Sequence, residues 1–199
     1  MTVLSAAANG SDAFADPGDP HGLSKVAKQF IAGQLAHAKG MCAILAPLVN
    51  SYKRLVSGYE APVHIGWARV NRAALIRVPR SSEASRARVE LRCPDPSCNP
   101  YLAFAVMLEA GLDGIRRELP SVEATEENPY SLGAPAPDAL ALLPASLDAA
   151  VEELESDEVV RSALGPHIAR RFIESKRIEW EEFYNEVTAW EIAKYLPNY

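Results

Sequence analysis

No apolar run in the chain approaches the ~20 residues of a membrane span, and no basic stretch precedes an apolar core at its start. The expectation is a soluble, cytoplasmic protein with no membrane partner. Cysteine is scarce. Cys42, Cys93 and Cys98 are odd in number and lack metal-ligand spacing, which suits reduced thiols in a reducing compartment. His21, His37, His64 and His167 are scattered without ligand spacing and read as structural or surface residues. There is no Gly-rich phosphate loop of the P-loop type, no Ser-His-Asp constellation, no nucleic-acid motif and no internal repeat. A formal charge of −6 argues against general nucleic-acid binding, although the middle of the chain is locally basic.

What is present has the composition of a globular protein, with 48% apolar and 23% charged residues over 199 positions. That length suits one domain or part of a larger one. Residues 1–22 are small, polar and rich in Gly, Asp and Pro, and read as an irregular segment. Ser24 is a plausible N-cap for a helix to about Gly40, with Val26, Ala27, Phe30, Ile31 and Leu35 at helical spacing. A second apolar segment covers Met41 to Val49, and a loop is expected from Asn50 through Pro62.

Val63–Ala68, Ala74–Val78 and Arg88–Arg92 read as short strands of an antiparallel sheet. Asn99 followed by Pro100 is a strong helix start, and the helix to about Arg117 is apolar on most faces, so it should be buried. Proline-broken residues 119–145 read as an exposed connection. The tail from Ser146 is helical, punctuated by Gly165-Pro166. Its stripe of Ile168, Phe172, Phe183, Val187 and Trp190 suits packing or subunit contact better than a cofactor. These readings divide the chain into an irregular segment (1–22), a region of helices and short strands (23–145) and a helical C-terminal segment (146–199).

The densest chemistry is Arg86-Ala87-Arg88-Val89-Glu90-Leu91-Arg92. In a strand, side chains alternate, so Arg88, Glu90 and Arg92 would share a face. Arg54, Arg72 and Arg77 add to the supply. Guanidinium is suited to bidentate capture of carboxylate or phosphate, while a Glu among them suits a divalent cation only if further oxygen ligands are nearby. No second acidic cluster lies beside Glu90 in sequence. Glu60, in the Gly- and Pro-bounded stretch Ser57-Gly58-Tyr59-Glu60-Ala61-Pro62, could be delivered by a closing loop; taken alone it is an exposed loop Glu. Tyr130 is a loop tyrosine.

Taken together, Asn50-Ser51-Tyr52-Lys53-Arg54-Leu55, Gly58-Tyr59-Glu60-Ala61-Pro62, Asn71-Arg72 through Ile76-Arg77, Arg88-Val89-Glu90-Leu91-Arg92 and Pro94-Asp95 through Asn99-Pro100-Tyr101 resemble bacterial-type glutamine synthetase, in order and spacing. The resemblance runs from about His21 to Pro197. It implies an α+β fold: part of that family's catalytic domain, an antiparallel curved sheet with flanking helices, plus a helical tail. It also implies an ATP-dependent ligation of ammonia to glutamate through γ-glutamyl phosphate.

By motif position, Arg54 and Arg92 would hold glutamate carboxylates, with Glu60 and Arg72 also at the substrate. Arg72, Arg77 and Arg88 would sit on nucleotide phosphates, and Glu90 would ligate Mg²⁺ or Mn²⁺. Glu60 and Arg72 would be the catalytic pair: Glu60 closes the site and helps deprotonate ammonium, and Arg72 stabilises the transferring phosphoryl group. Tyr130 falls where some members carry an adenylylated tyrosine. Relatives that ligate glutamate to polyamines or other amines often have Trp in place of such a Glu, so Glu60 resembles the ammonia-using form.

Two departures accompany the resemblance. A complete member is more than twice as long, and its Met-His-x-His-x-Ser strand is here Met1-Thr2-Val3-Leu4-Ser5, without histidine. The expectation is half a site, inactive in isolation. The implied partners are glutamate, ammonia and ATP, with either a dodecamer-type homo-oligomer or full-length synthetase subunits. The alternatives are a truncated non-catalytic paralogue that joins full-length rings, or a glutamate–amine ligase.

Overall fold

The structure, a computed structural model, describes residues 2–4, 7–8, 11–56, 62–71, 74–79, 86–126 and 141–198. In chain order the elements are β1 (Thr2–Leu4), β2 (Ala7–Ala8), β3 (Ser11–Asp12), α1 (Lys25–Ala36), α2 (Ala38–Leu45), α3 (Val49–Arg54), β4 (His64–Ala68), β5 (Ala74–Arg77), β6 (Val89–Leu91), α4 (Pro100–Arg116), α5 (Leu147–Ser156), α6 (Glu158–Tyr184) and α7 (Ala189–Tyr195), followed by a 3₁₀ turn at Leu196–Asn198. Among the described residues no helix is long and apolar enough to cross a membrane.

The main sheet has the order β1-β6-β5-β4. β1 and β5 flank β6 in antiparallel register, Val3 opposite Glu90 and Arg77 opposite Glu90. Two expectations change here. The start of the chain is not wholly irregular, because it supplies β1 to the sheet and the β2–β3 ladder. β4 and β5 run parallel, with a register shift between His64 and Trp67, so the sheet is mixed where an all-antiparallel one was expected. Alternation reports which face a residue occupies and carries no information on strand direction. The 119–126 segment packs along β4: Trp67 Nε1 donates to the Val122 carbonyl (2.7 Å), and Thr125 N–H donates to the Trp67 carbonyl (2.8 Å).

Ser24 caps α1, its hydroxyl accepting from Ala27 N–H at 3.1 Å. The helix does not continue to Gly40. It breaks at His37 (φ −100°, ψ 8°), and α2 starts afresh. His37 is buried, with Nδ1 2.8 Å from Asp157 Oδ2 and Nε2 3.0 Å from Asp113 Oδ2. One imidazole thus ties the α1–α2 corner to α4 and to the α5–α6 corner. Asp113 also accepts from Arg117 (3.0 Å), and Asp157 Oδ1 caps α6 through Val160 N–H (3.1 Å). Residues 50–54, expected to open a loop, form the body of α3.

α4 begins where Asn99-Pro100 indicates. Asn99 Oδ1 accepts from Tyr101 N–H at 3.0 Å, and proline at the first position has no N–H to leave orphaned. Asn99→Ala is expected to cost about 1 kcal/mol, read as a lower urea midpoint with an unchanged slope. The burial of α4 is one-sided. Ala103, Val106, Met107 and Ala110 are buried, while Tyr101, Phe104 and Leu108 form an exposed stripe, with Tyr101 83% exposed.

The tail is helical as expected. Ser146, Asp157 and Thr188 cap α5, α6 and α7 respectively, and Gly165 interrupts α6 at φ 74°. Phe172 packs on the core, whereas Val187 and Trp190 stand exposed.

Candidate functional site

The candidate site is built on β6 and the loop that follows it. Directly opposed residues of an antiparallel pair project from the same face, ~5 Å apart, which is why Arg77 on β5 meets Glu90 on β6. The contact is a bidentate fork: Arg77 Nε donates to Glu90 Oε2 at 2.8 Å, and Nη2 donates to Oε1 at 3.0 Å. Glu90 is only 2% exposed, while the Arg77 side chain keeps 32% of its surface open. A buried carboxylate needs such a counter-charge, since desolvation costs several kcal/mol when it goes uncompensated.

Sequence alternation put Arg88, Glu90 and Arg92 along one strand face. The observed strand spans only Val89–Leu91: Arg88 precedes it and is exposed, and Arg92 follows it, half-buried, its N–H donating to the Leu75 carbonyl (3.0 Å). Arg77, the charge partner that forks onto Glu90, therefore lies across the sheet, where a linear reading does not look.

Arg54, the last residue of α3, reaches the same loop. Its Nη2 donates to the Cys93 carbonyl at 2.7 Å, one residue beyond Arg92, and its Nε lies 3.8 Å from Asp95 Oδ2. Asp95 organises the turn: its Oδ1 accepts from Ser97 N–H (2.9 Å) and Ser97 Oγ (2.7 Å), and its own N–H donates to the Leu45 carbonyl (2.7 Å). Burial works to raise the Asp95 carboxyl, but the Ser97 hydroxyl and N–H, Ser51 and Arg54 outweigh it and hold it below the usual range. Asp95 thus fixes both the loop and the orientation of Arg54. The sequence motifs include Asp95 without giving it a role, although Asp-x-Ser after proline is the signal of a side-chain-capped turn.

Cys42, Cys93 and Cys98 are free, and burial pushes the Cys42 thiol up to about 12. They serve packing, as low-pKa character is what makes a thiol reactive. Glu60, Arg72 and Tyr130 lie outside the described residues.

As a metal centre the described residues fall short. No cluster of three or more His, Cys, Asp or Glu is present among them, and both oxygens of Glu90 are already held by Arg77. Mg²⁺ and Mn²⁺ favour several oxygen ligands. One engaged carboxylate does not fit that requirement.

Comparison with known proteins gives the family of the chain. Residues 2–195 match the family model described as glutamine synthetase, catalytic domain. The glutamine synthetase of Methanocaldococcus jannaschii is 51% identical over 191 residues, covering 94% of this chain and 42% of that protein. That of Thermotoga maritima is 50% identical, covering 93% and 42%, and that of Thermus thermophilus 46% identical, covering 100% and 45%. Among solved structures, one described as apo GmaS without ligand superposes with a TM-score of 0.86 at 37% identity, over 98% of this chain and 44% of that one. A GmaS/ADP complex gives 0.85. The chain spans less than half the length of the relatives it matches. With nearly every residue matched, it belongs to the glutamine synthetase family, as the C-terminal part of that family's catalytic domain.

Proposed function

We propose that this chain supplies the C-terminal wall of a glutamate–ammonia ligase site. The observation that carries the reading is the match of residues 2–195 to the synthetase catalytic domain. The geometry supports it through a concentration of guanidinium on one loop-and-strand segment: Arg54 anchored at Cys93, Arg92 beside it, and Arg77 on the neighbouring strand.

In the reaction, a glutamate γ-carboxylate oxygen attacks the γ-phosphorus of ATP, and ADP leaves. Ammonia nitrogen then attacks the acyl carbon, phosphate departs, and the extra proton passes to a base. Arg54 and Arg92 would hold the glutamate carboxylates. Arg72, Arg77 and Arg88 would neutralise charge on the phosphates, where positioned guanidinium has its largest effect on phosphoryl transfer. Glu60 would receive the ammonium proton and, by closing the site, exclude water that would otherwise hydrolyse the acyl phosphate. Mg²⁺ or Mn²⁺ would supply charge neutralisation at the phosphates. The described residues do not by themselves build its site.

The test has two arms. The purified chain, given ATP, Mg²⁺, glutamate and ammonium, is expected to form no glutamine. Co-produced with the complementary N-terminal part of the T. maritima enzyme, it is expected to form glutamine, with activity falling at least ~100-fold on Arg54→Ala. Complementation that fails, with both pieces folded and associated, would count against the reading.

A second reading has its own observation. Tyr184, Val187, Trp190 and Leu196 are all exposed near the C-terminal end of the chain, and that much apolar surface in solvent suits burial against another subunit. In that reading the chain joins full-length synthetase rings without catalysing. Co-purification with an intact synthetase, without a gain in activity, would favour it over the first.

A further inference from the structure

α4 is charged only at Glu109, Asp113 and Arg116, and a helix apolar on nearly every face is normally covered on every side. Here one side is covered. Ala103, Val106, Met107 and Ala110 are buried, and Gly33 and Gly114 let the backbones of α1 and α4 meet. The other side carries Tyr101, Phe104 and Leu108, which are 83%, 56% and 54% exposed and stack along the helix at i, i+3 and i+7. No charged side chain interrupts α4 before Glu109.

Two observations say what covers this face. The first is its size. The three side chains expose on the order of 400 Å², about half of the ~800 Å² per partner that a free-standing complex needs. So small a face suits a neighbour supplied by the same chain, where docking carries little of the cost of bringing two molecules together. The second is its position. The family match starts at residue 2, the chain covers 42% of the M. jannaschii enzyme, and β1 is the outermost strand of its sheet. Thr2 stands opposite Leu91 in antiparallel register, so the chain preceding this strand in a longer relative would run beside Arg92, toward the turn that opens α4.

We infer that the Tyr101, Phe104 and Leu108 face of α4 is a docking surface for the N-terminal portion of a synthetase catalytic domain, the portion this chain does not carry. The surface that meets it is apolar, since a charge pressed onto this stripe would be desolvated without a partner. The inference rests on reading the chain as a C-terminal wall, and does not depend on catalysis.

The experiment is thiol labelling of Phe104→Cys and Leu108→Cys, each combined with Cys98→Ser to remove the half-buried native thiol; Cys42 and Cys93 are buried. Each variant is labelled as the chain alone and as a chimera in which the N-terminal part of the T. maritima enzyme runs into Thr2. The chain alone is expected to label fast. The folded chimera is expected to label at least ~10-fold more slowly, as a site reached only by local opening does. Equal rates in a folded chimera would overturn the inference. So would slow labelling of the chain alone, which would show that its own residues cover the face. Phe104→Asp/Leu108→Asp is expected to shift the melting temperature of the chain alone by less than ~2 °C, as on an open surface, and to lower that of the chimera by several degrees. A drop of several degrees in the chain alone would sink the proposal. Should the chimera not fold, sedimentation of the chain still decides. The double Asp variant is expected to leave it unchanged, and a self-association that this variant abolishes would make a second copy the occupant and overturn the inference. Labelling and sedimentation do not depend on glutamine formation, so this inference and the ligase reading fail separately.

Discussion

Gly33→Ala is expected to destabilise the protein by about 3 kcal/mol, the upper end of the range for overpacking a core. The sign is the informative part. In an open helix, replacing Gly with Ala gains about 1 kcal/mol of helix propensity. Here the added Cβ would stand 2.1 Å from the Ala110 carbonyl oxygen and 2.8 Å from Gly114 N, both backbone atoms of α4. No side chain can rotate away, so α1 and α4 must separate. Gly114 faces the reciprocal problem, its Cβ falling 2.2 Å from the Gln29 carbonyl oxygen, and a Cβ at Gly111 would strike the Phe30 ring. The control is Gly18→Ala, whose nearest neighbour is a side-chain oxygen at 3.3 Å, and which should shift stability by less than about 0.5 kcal/mol. Urea unfolding of the two variants compares them directly, and a Gly33→Ala protein as stable as wild type would show the helix contact to be looser than described. Because α4 carries Asn99 and follows the turn that holds Arg54, separating the helices is also expected to disturb the site.

The second large effect is expected at His37. Its side chain is 9% exposed and lies between two mostly buried carboxylates. The Asp157 hydrogen bond raises its pKa above the ordinary 6.5, burial opposes that, and Asp113 adds to the rise. A raised folded pKa means that the stabilisation is fully present below the unfolded value near 6.5 and is lost as pH climbs through the folded value above it. Asp113 sets the other limit. Burial works to raise its carboxyl, but hydrogen bonds from His37 and Arg117 win and lower it below 3.8, so its contribution is present above that value and fades as pH falls through the folded one. The corner is therefore firmest in mildly acidic solution.

The other charges facing it are Arg117 on Asp113, and Lys39 paired with Glu153 at 3.3 Å. His37→Gln is expected to cost on the order of 3 kcal/mol near pH 6, since it leaves two buried carboxylates short of their shared counter-charge. Arg117 and the α6 N-terminus compensate in part, which holds the figure at the low end. Melting temperatures at pH 6 and pH 9 should differ more for wild type than for His37→Gln. An imidazole that titrates at or below 6.5 by NMR would contradict the arrangement.

Neither His37 nor the glycine pair was visible in the sequence, and for related reasons. His37 sits inside a helical apolar pattern that continues to Gly40, and its partners are 76 and 120 residues away. The local pattern thus predicts one helix, while distant carboxylates fix a break. Gly33, Gly111 and Gly114 read locally as weak helix formers, and their purpose emerges only when the facing helix is known. What rests on local chemistry was legible: the Ser24 and Asn99 caps, proline at the start of α4, the interruption at Gly165, and three strands near their observed places. The site divides along the same line. The stretch bearing Arg88, Glu90 and Arg92 was conspicuous in sequence. The cross-strand pairing of Glu90 with Arg77, and the fixing of Arg54 by Cys93 and Asp95, depended on strand register and loop closure, which alternation does not encode.

Gly165 gives the C-terminal end of the chain a mechanical character. The rod from Pro166 to Tyr184 is about 28 Å long at 1.5 Å per residue, and it joins the preceding turns of α6 through a single residue at φ 74°. A Cβ at Gly165 would touch nothing within 4 Å, so space does not dictate glycine there; the backbone angle does. A swing of ~10° about that joint would carry the far end through about 5 Å, roughly one helical turn. Phe172, Ile173 and Trp180 pack that rod on the core and Arg177 pairs with Glu155 of α5, so the angle at Gly165 and these contacts together set where the chain leaves α6 toward α7 and its exposed Trp190 and Tyr195.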